Sequence, residues 1–147
     1  MATQKITPFL WFNNEAQEAA KFYCSIFKNS KIIHESPMTV SFELDGQRIM
    51  GGNFGPTFKF NEAVSFFVSC DSQEEVDFFW NALTAEGKES RCGWLVDKFG
   101  LSWQIVPTAL GKLMGDPNPE KAQRVAQAMF KMNKLVINEL QDAYDAK

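Results

Sequence analysis

The chain contains a single histidine, His34, so imidazole chemistry has one side chain to work with. Beside a short loop, that histidine reads as a surface residue, with a general base as the alternative. Cysteine is also scarce. Three residues, an odd number at irregular spacing, make neither a disulfide framework nor a zinc site. Positive charge is not in excess: 15 Lys and Arg stand against 18 Asp and Glu, for a net charge of -3. The basic residues are scattered, which argues against nucleic acid and against an anionic membrane as partners. No apolar run approaches membrane-spanning length, and the N-terminus lacks the apolar region of a signal peptide. Together these absences predict a cytoplasmic protein of a reducing compartment.

Aromatic residues are abundant. Fourteen Phe and four Trp in 147 residues supply a large core or a lined cavity. That length fits one domain, or two small modules sharing a core. The aromatic character is concentrated in the stretch Cys92 to Pro107, which reads as strand, turn, strand. Trp94, Leu95 and Val96 form an apolar run. Asp97-Lys98-Phe99-Gly100 has turn chemistry, with an Asp to open it and a Gly free to take positive φ. The next residues alternate. Leu101, Trp103 and Ile105 fall on one face, and Ser102, Gln104 and Val106 on the other. Pro107 ends the run. An amide among apolar neighbours is either the wall of a pocket or a core with one polar group.

The preceding chain has the same grammar. Ile6 to Phe12 is a short β-rich run with Pro8 near its start. Asn14 is placed to cap a helix, with Gln17 as capping-box partner and Ala16, Ala19, Ala20, Tyr23, Ile26 and Phe27 as its buried stripe. Asn29 suits a left-handed stop. Lys31 to Glu35 is a strand, and Met38 to Leu44 pairs with Gln47 to Gly51 through Asp45-Gly46, a strong hairpin signal. Gly51 to Pro56 reads as a linker. It is no phosphate cradle, because no helix opens at its glycines. Val64 to Cys70 is a strand, and Ser72 with Glu75 caps a second helix bearing Val76, Phe79, Trp80 and Leu83, stopped by Gly87. Glu89 to Cys92 then reads as a short strand. The order strand, helix, three strands therefore occurs twice, a repeat of architecture and not of residues. After Pro107 come one or two helical turns from Thr108 to Met114. A helix capped by Asn118-Pro119 follows, with Ala122, Val125, Ala126 and Met129 inward, and then a last segment from Ile137 to Tyr144. The methionine-rich stripe of this helical region, with Met129, suits a core or a dimer contact more than a cofactor box.

The doubled module closed by DKFGLSWQIVP resembles the vicinal oxygen chelate superfamily of glyoxalase, bleomycin-resistance and extradiol dioxygenase proteins. Within it, ITPFLWF, EAAKFYCSIFKNSKI, MTVSFELDGQ, FKFNEAVSF, QEEVDFFWNAL and CGWLVDKFGLSWQIVPTALGKLMGDPNPEKAQRVAQAM are similar to the PhnB-like subfamily, also labelled the 3-demethylubiquinone-9 3-methyltransferase domain. The resemblance implies an α+β fold: two βαβββ modules forming a curled mixed sheet around a cleft, plus C-terminal helices. It also implies a dimer. Similar sequences carry a longer glycine-rich segment where only His34-Glu35-Ser36-Pro37 stands here, which implies a more open cleft or one covered by a partner subunit.

Superfamily enzymes place His and Glu metal ligands on the first and last strands of each module. By the resemblance those positions fall near Pro8, near Ser65, at Gln104 and within Ile49 to Gly52, none of them a good transition-metal ligand. No metal and no cofactor are therefore expected. A classical S-adenosylmethionine enzyme would show a parallel α/β pattern with a Gly-rich strand-to-helix turn, and this sequence shows neither.

The candidate ligand-binding residues are Trp11, Cys92, Trp94, Trp103 and Gln104; no catalytic residue is assigned. Gln104 hydrogen-bonds a ligand or is satisfied by backbone. Cys92 is a pocket nucleophile or an inert buried thiol, with Arg91 pointing to the opposite face if both lie on a strand. The tryptophans line a cleft or fill a core. Paired modules over 1–107 (about 5–55 and 58–107) form one expected domain, with a helical extension at 108–147. The expected function is metal-independent binding of a small molecule by a homodimer. The alternative is an enzyme acting on a small organic substrate, metal-assisted or cysteine-based. A third reading is a structural dimer without a working site.

Overall fold

Asp45 and Gly46 turn with φ of 50° and 80°, the left-handed pair that a two-residue hairpin loop needs. In the computed structural model, which describes residues 4–147, this turn joins β3 (Thr39–Leu44) to β4 (Gln47–Asn53). Val40, Phe42 and Leu44 alternate as the buried face of β3. With β1 (Phe9–Phe12), α1 (Ala16–Ile26) and β2 (Lys31–Glu35), these strands build one βαβββ unit. Its sheet runs β1-β4-β3-β2, with β1 parallel to β4 and the other pairs antiparallel. The helix buries Ala16, Ala19, Ala20, Tyr23 and Ile26, the periodicity read from the sequence. Asn29 is not the helix stop: α1 ends at Ile26 with Phe27 as an extended cap, and Asn29 takes φ 54° two residues further on, in the bend before β2.

Two local expectations fail here. Asn14 does not cap α1. The Ala16 N–H instead donates to Asn53 Oδ1 at 2.9 Å, a cap supplied from 37 positions downstream. Gln17 is not a capping-box partner either: its amide donates to the Ser36 carbonyl and its Oε1 accepts from Asn53 Nδ2 at 2.9 Å. The proposed linker also begins too early, because Gly51, Gly52 and Asn53 belong to β4 and pair with β1. The glycines are there for room: a Cβ on Gly52 would sit 2.6 Å from the Phe54 ring, and one on Gly51 would sit 3.1 Å from Phe12.

The chain divides between Phe60 and Asn61 into two compact units. The second repeats the first in topology. Its elements are β5 (Ser65–Cys70), α2 (Gln73–Thr84), β6 (Lys88–Glu89), β7 (Trp94–Val96) and β8 (Ser102–Pro107), and its sheet runs β5-β8-β7-β6 with β5 parallel to β8. Ser72 caps α2 through the Glu75 N–H, as expected, while Glu75 reaches back to the Asp71 N–H instead of Ser72. Gly87 is not the helix stop. Glu86 takes the left-handed turn at φ 62°, and Gly87 is required because a Cβ there would lie 2.4 Å from the Val96 carbonyl of β7. The strand predicted to run from Glu89 to Cys92 is only Lys88–Glu89, because Cys92 and Gly93 turn out of it at φ 60° and 84°.

Three helices complete this unit: α3 (Thr108–Met114), α4 (Pro119–Met129) and α5 (Ile137–Asp145). Asn118 caps α4 with Pro119 at its first position, as the sequence indicates. Leu110, Val125, Leu135 and Leu140 form their shared core. No helix among the described residues is long and apolar enough to cross a membrane.

Candidate functional site

From Trp103 to Pro107, period-two alternation on β8 separates a buried set from the partly open Gln104 and Val106, while Ser102 at the strand's start is buried on their face. Trp103 and Ile105 are buried with Leu95 of β7 in the sheet that α2 covers. Gln104 faces the other way, opposite Phe67 of β5 and Trp94 of β7, so Phe67, Gln104 and Trp94 form one row across the sheet. The chain leaves β8 directly into α3. This face, together with α3 and the end of α4, encloses an open cavity of about 1070 Å³ lined mainly by apolar side chains. Trp94, Gln104 and Val106 form its sheet wall, and Leu110, Met114 and Phe130 contribute from the helices.

One end of the Gln104 amide is fixed, Nε2 donating to Ser65 Oγ at 2.9 Å. The other end has no protein hydrogen bond among the described residues and is free to meet a ligand. Arg91 and Cys92 lie at the rim. The turn that carries Cys92 is pinned to the C-terminal segment: the Cys92 and Gly93 N–H groups donate to the Met132 and Asn133 carbonyls, each at 2.8 Å. The strand argument that sent Arg91 to the opposite face therefore does not apply, and both residues line the same cavity.

The other two candidates lie elsewhere. Trp103 is 2% exposed, and its indole N–H donates to Asp97 Oδ2 at 2.8 Å. Trp11 belongs to the first unit, where its indole N–H donates to the Gly55 carbonyl at 2.9 Å and its ring meets Phe54 and Phe58 edge-on. Asp97 shapes its turn, Oδ1 accepting from the Phe99 and Leu101 N–H groups. His34 is exposed on β2 and paired opposite Ser41. Its neighbours Ser36 and Pro37 make a tight turn in which the Ser36 N–H donates to the Thr39 carbonyl at 2.9 Å. Sequence reasoning missed the contribution of α3 and Phe130 to the cavity. The signal available was the methionine-rich helical stripe ending in an aromatic.

The donor set does not fit a divalent transition metal. In the second unit Ser65 and Gln104 spend polar groups on one another. In the first, the Pro8 carbonyl accepts from the Met50 N–H, and Ile49 to Gly52 bring no ligating carboxylate or imidazole. Among the described residues no three His, Cys, Asp or Glu side chains cluster to hold an ion.

The three free thiols sit in different surroundings. Burial, with Glu75 and Asp71 nearby, pushes the Cys70 thiol up to about 11, and burial also raises Cys24. Cys92 lines the cavity. At mildly alkaline pH an aromatic disulfide reagent is expected to label Cys92 first, Cys24 more slowly and Cys70 only on unfolding. Cys92→Ser should remove the fast phase. A fast phase that survives this change would contradict the assignment.

Residues 4–106 match the family described as 3-demethylubiquinone-9 3-methyltransferase. No curated protein matches the chain. Among solved structures, a Bacillus cereus protein provisionally described as a 3-demethylubiquinone-9 3-methyltransferase, PhnB protein, is 32% identical over 71% of this chain and 99% of that one, with a TM-score of 0.66. A Pseudomonas aeruginosa protein is 21% identical over 71% and 96%, with a TM-score of 0.59. A Listeria monocytogenes fosfomycin resistance protein, complexed with Mn(II) and sulfate, is 17% identical over 70% and 88%, with a TM-score of 0.53. The last two are likenesses of fold alone.

Proposed function

Because the chain belongs to the 3-demethylubiquinone-9 3-methyltransferase (PhnB-like) family of the vicinal oxygen chelate superfamily, and has its glyoxalase/bleomycin resistance fold, we propose that it binds a small organic molecule in the second-unit cavity without a resident metal. The observation that carries this reading is Gln104. One end of its amide is tied to Ser65, and the other faces a largely apolar cavity beside Trp94. A mostly apolar pocket with a few convergent polar groups is the usual form of a small-molecule site. Of the four positions where the resemblance places metal ligands, the two in the second unit carry a hydroxyl, Ser65, and an amide, Gln104, which supports recognition by hydrogen bonding instead of Lewis-acid chemistry. The methyltransferase label brings no mechanism with it. Each sheet has one parallel pair among antiparallel ones, unlike the parallel sheet with a glycine-rich turn of a classical S-adenosylmethionine enzyme.

The working form we propose is a cytoplasmic homodimer. Phe9, Phe54 and Phe58 are 46%, 40% and 62% exposed around Trp11 on the first unit, an aromatic surface that a second copy could cover. The three cysteines are free, which suits a reducing compartment. A cysteine-based enzyme is the second reading, favoured by the position of Cys92 in the cavity wall.

Native mass spectrometry of protein purified without chelator or affinity metal tests these readings together. A dimer carrying an organic adduct and no stoichiometric metal is expected. A stoichiometric metal would overturn the metal-independent reading. Turnover of the adduct that is lost in Cys92→Ser would move the enzyme reading ahead.

A further inference from the structure

We infer that the ligand of this cavity is a flat apolar molecule bearing one anionic group, such as an aromatic carboxylate; the inference rests on the cavity being a ligand site, as proposed above. The apolar part follows from the walls. Phe67 and Trp94 flank Gln104 across the sheet and offer aromatic surface, and Met114 and Met129 opposite them are side chains that adapt to an irregular partner.

The anionic part follows from the charges. Arg91 and Lys112 both line the cavity, and Glu62 is the one acidic residue there. Among the described residues neither cation has an ion-pair partner. Exposed cations elsewhere among the described residues, such as Lys28, Lys59 and Lys88, also lack an ion-pair partner, so what sets Arg91 and Lys112 apart is their place, two cations against one carboxylate in a mainly apolar lining. The protein as a whole carries a net charge of -3, so a lining with two cations and one carboxylate departs from the overall charge balance. A carboxylate held at the Arg91 and Lys112 side, with its ring against Trp94 and a polar substituent within reach of Gln104, uses the cationic, aromatic and amide groups of the lining together. A cationic ligand would meet like charge from both residues.

The test uses three matched probes, 2-naphthoate, 2-naphthamide and 2-naphthylmethylammonium, titrated separately into the full-length protein at low ionic strength. Binding is followed by nitrogen–proton NMR shifts of the Trp94 indole and the Gln104 side-chain amide. Affinities in about the millimolar range are expected for ligands of this size. The naphthoate should bind about three- to tenfold more tightly than the amide, the gain available from charge-assisted contacts at a partly exposed site. Added salt should shrink the difference. An Arg91→Gln, Lys112→Gln double variant, altered only at exposed positions, should erase the preference, read as the ratio of naphthoate to naphthamide affinity within that variant. Equal affinities, a preference for the ammonium, or a preference that survives in the double variant would overturn the anionic assignment while leaving the cavity reading intact. Absence of shifts at Trp94 and Gln104 with all three probes would overturn both. Shifts that vanish as protein concentration rises would also overturn both, since a second copy would then occupy the cavity.

Discussion

Asp97→Ala is expected to cost about 3–5 kcal/mol of stability, the largest loss of any single substitution considered for this chain. Asp97 is 3% exposed and sits in the turn between β7 and β8. Its Oδ1 accepts from the Phe99 and Leu101 N–H groups at 2.9 and 3.0 Å, and its Oδ2 from the Trp103 indole at 2.8 Å. Alanine leaves these donors without that acceptor. Phe99 is partly exposed and can turn to water, but Leu101 and Trp103 are each 2% exposed and cannot. Two buried donors at roughly 1–3 kcal/mol each, together with the loss of turn geometry, account for the expected size. Thermal unfolding should fall by about 10–15 °C in a domain of this length. Asp97→Asn offers a milder arm. One oxygen is kept, but the new amide N–H₂ faces the Trp103 N–H, so about half the loss is expected. In a Trp103→Phe background that clash disappears, and Asp97→Asn should then cost about 1–2 kcal/mol less. Denaturant unfolding of the four proteins gives the cycle directly. A cost below about 1 kcal/mol for Asp97→Ala would show that the turn is held by other contacts.

The same turn shows which features of this molecule are legible in a sequence. Asp97 and Gly100, Asp45 and Gly46, Ser72, and Asn118 with Pro119 all act within a few residues of themselves, and all do what their chemistry indicates. The failures are long-range. The first N–H of α1 is met by Asn53, and that of α5 by Gln73 Oε1 at 2.7 Å, from 64 positions away. No local rule assigns an Asn at the end of one strand as the cap of a helix two strands earlier. The glycines mislead for a related reason. Gly51, Gly52 and Gly87 resemble turn residues, yet each is there because a ring or a carbonyl of another element occupies the space of its side chain.

The candidate site divides along the same line. Alternation on β8 correctly sets Gln104 apart from Trp103, and hairpin register brings Trp94 beside Gln104. Cys92 joins them through a turn whose positive φ a non-glycine residue rarely signals. The helical wall was beyond reach, because whether α3 and α4 lie over their own sheet depends on packing and not on their own periodicity.

That wall supplies the second large effect. Leu135→Ala is expected to cost about 3 kcal/mol, within the roughly 2–5 kcal/mol of buried leucine truncations. Leu135 is fully buried against Leu110, Val125 and Leu140, so the change opens a void at the centre of the helical cluster. Its position also couples the helices to the site. The Leu135 carbonyl accepts from Gln73 Nε2 at 3.0 Å, and a Cβ on Gly93 would come within 3.0 Å of the Leu135 side chain. Leu135 therefore packs against the turn that carries Cys92 on the cavity rim. The loss should fall mainly on the helices. Amides of α4 and α5 should exchange much faster in Leu135→Ala, while those of β5 and β8 keep most of their protection, since the sheet retains its packing on α2. Gln73→Ala should reproduce the faster exchange at the start of α5 at a smaller cost of about 1 kcal/mol, because it removes the cap without opening the core. If β8 and α5 instead lose protection together in Leu135→Ala, the helices and sheet open as one cooperative unit. A ligand would then have to enter through the open side of the cavity and not by movement of its helical wall.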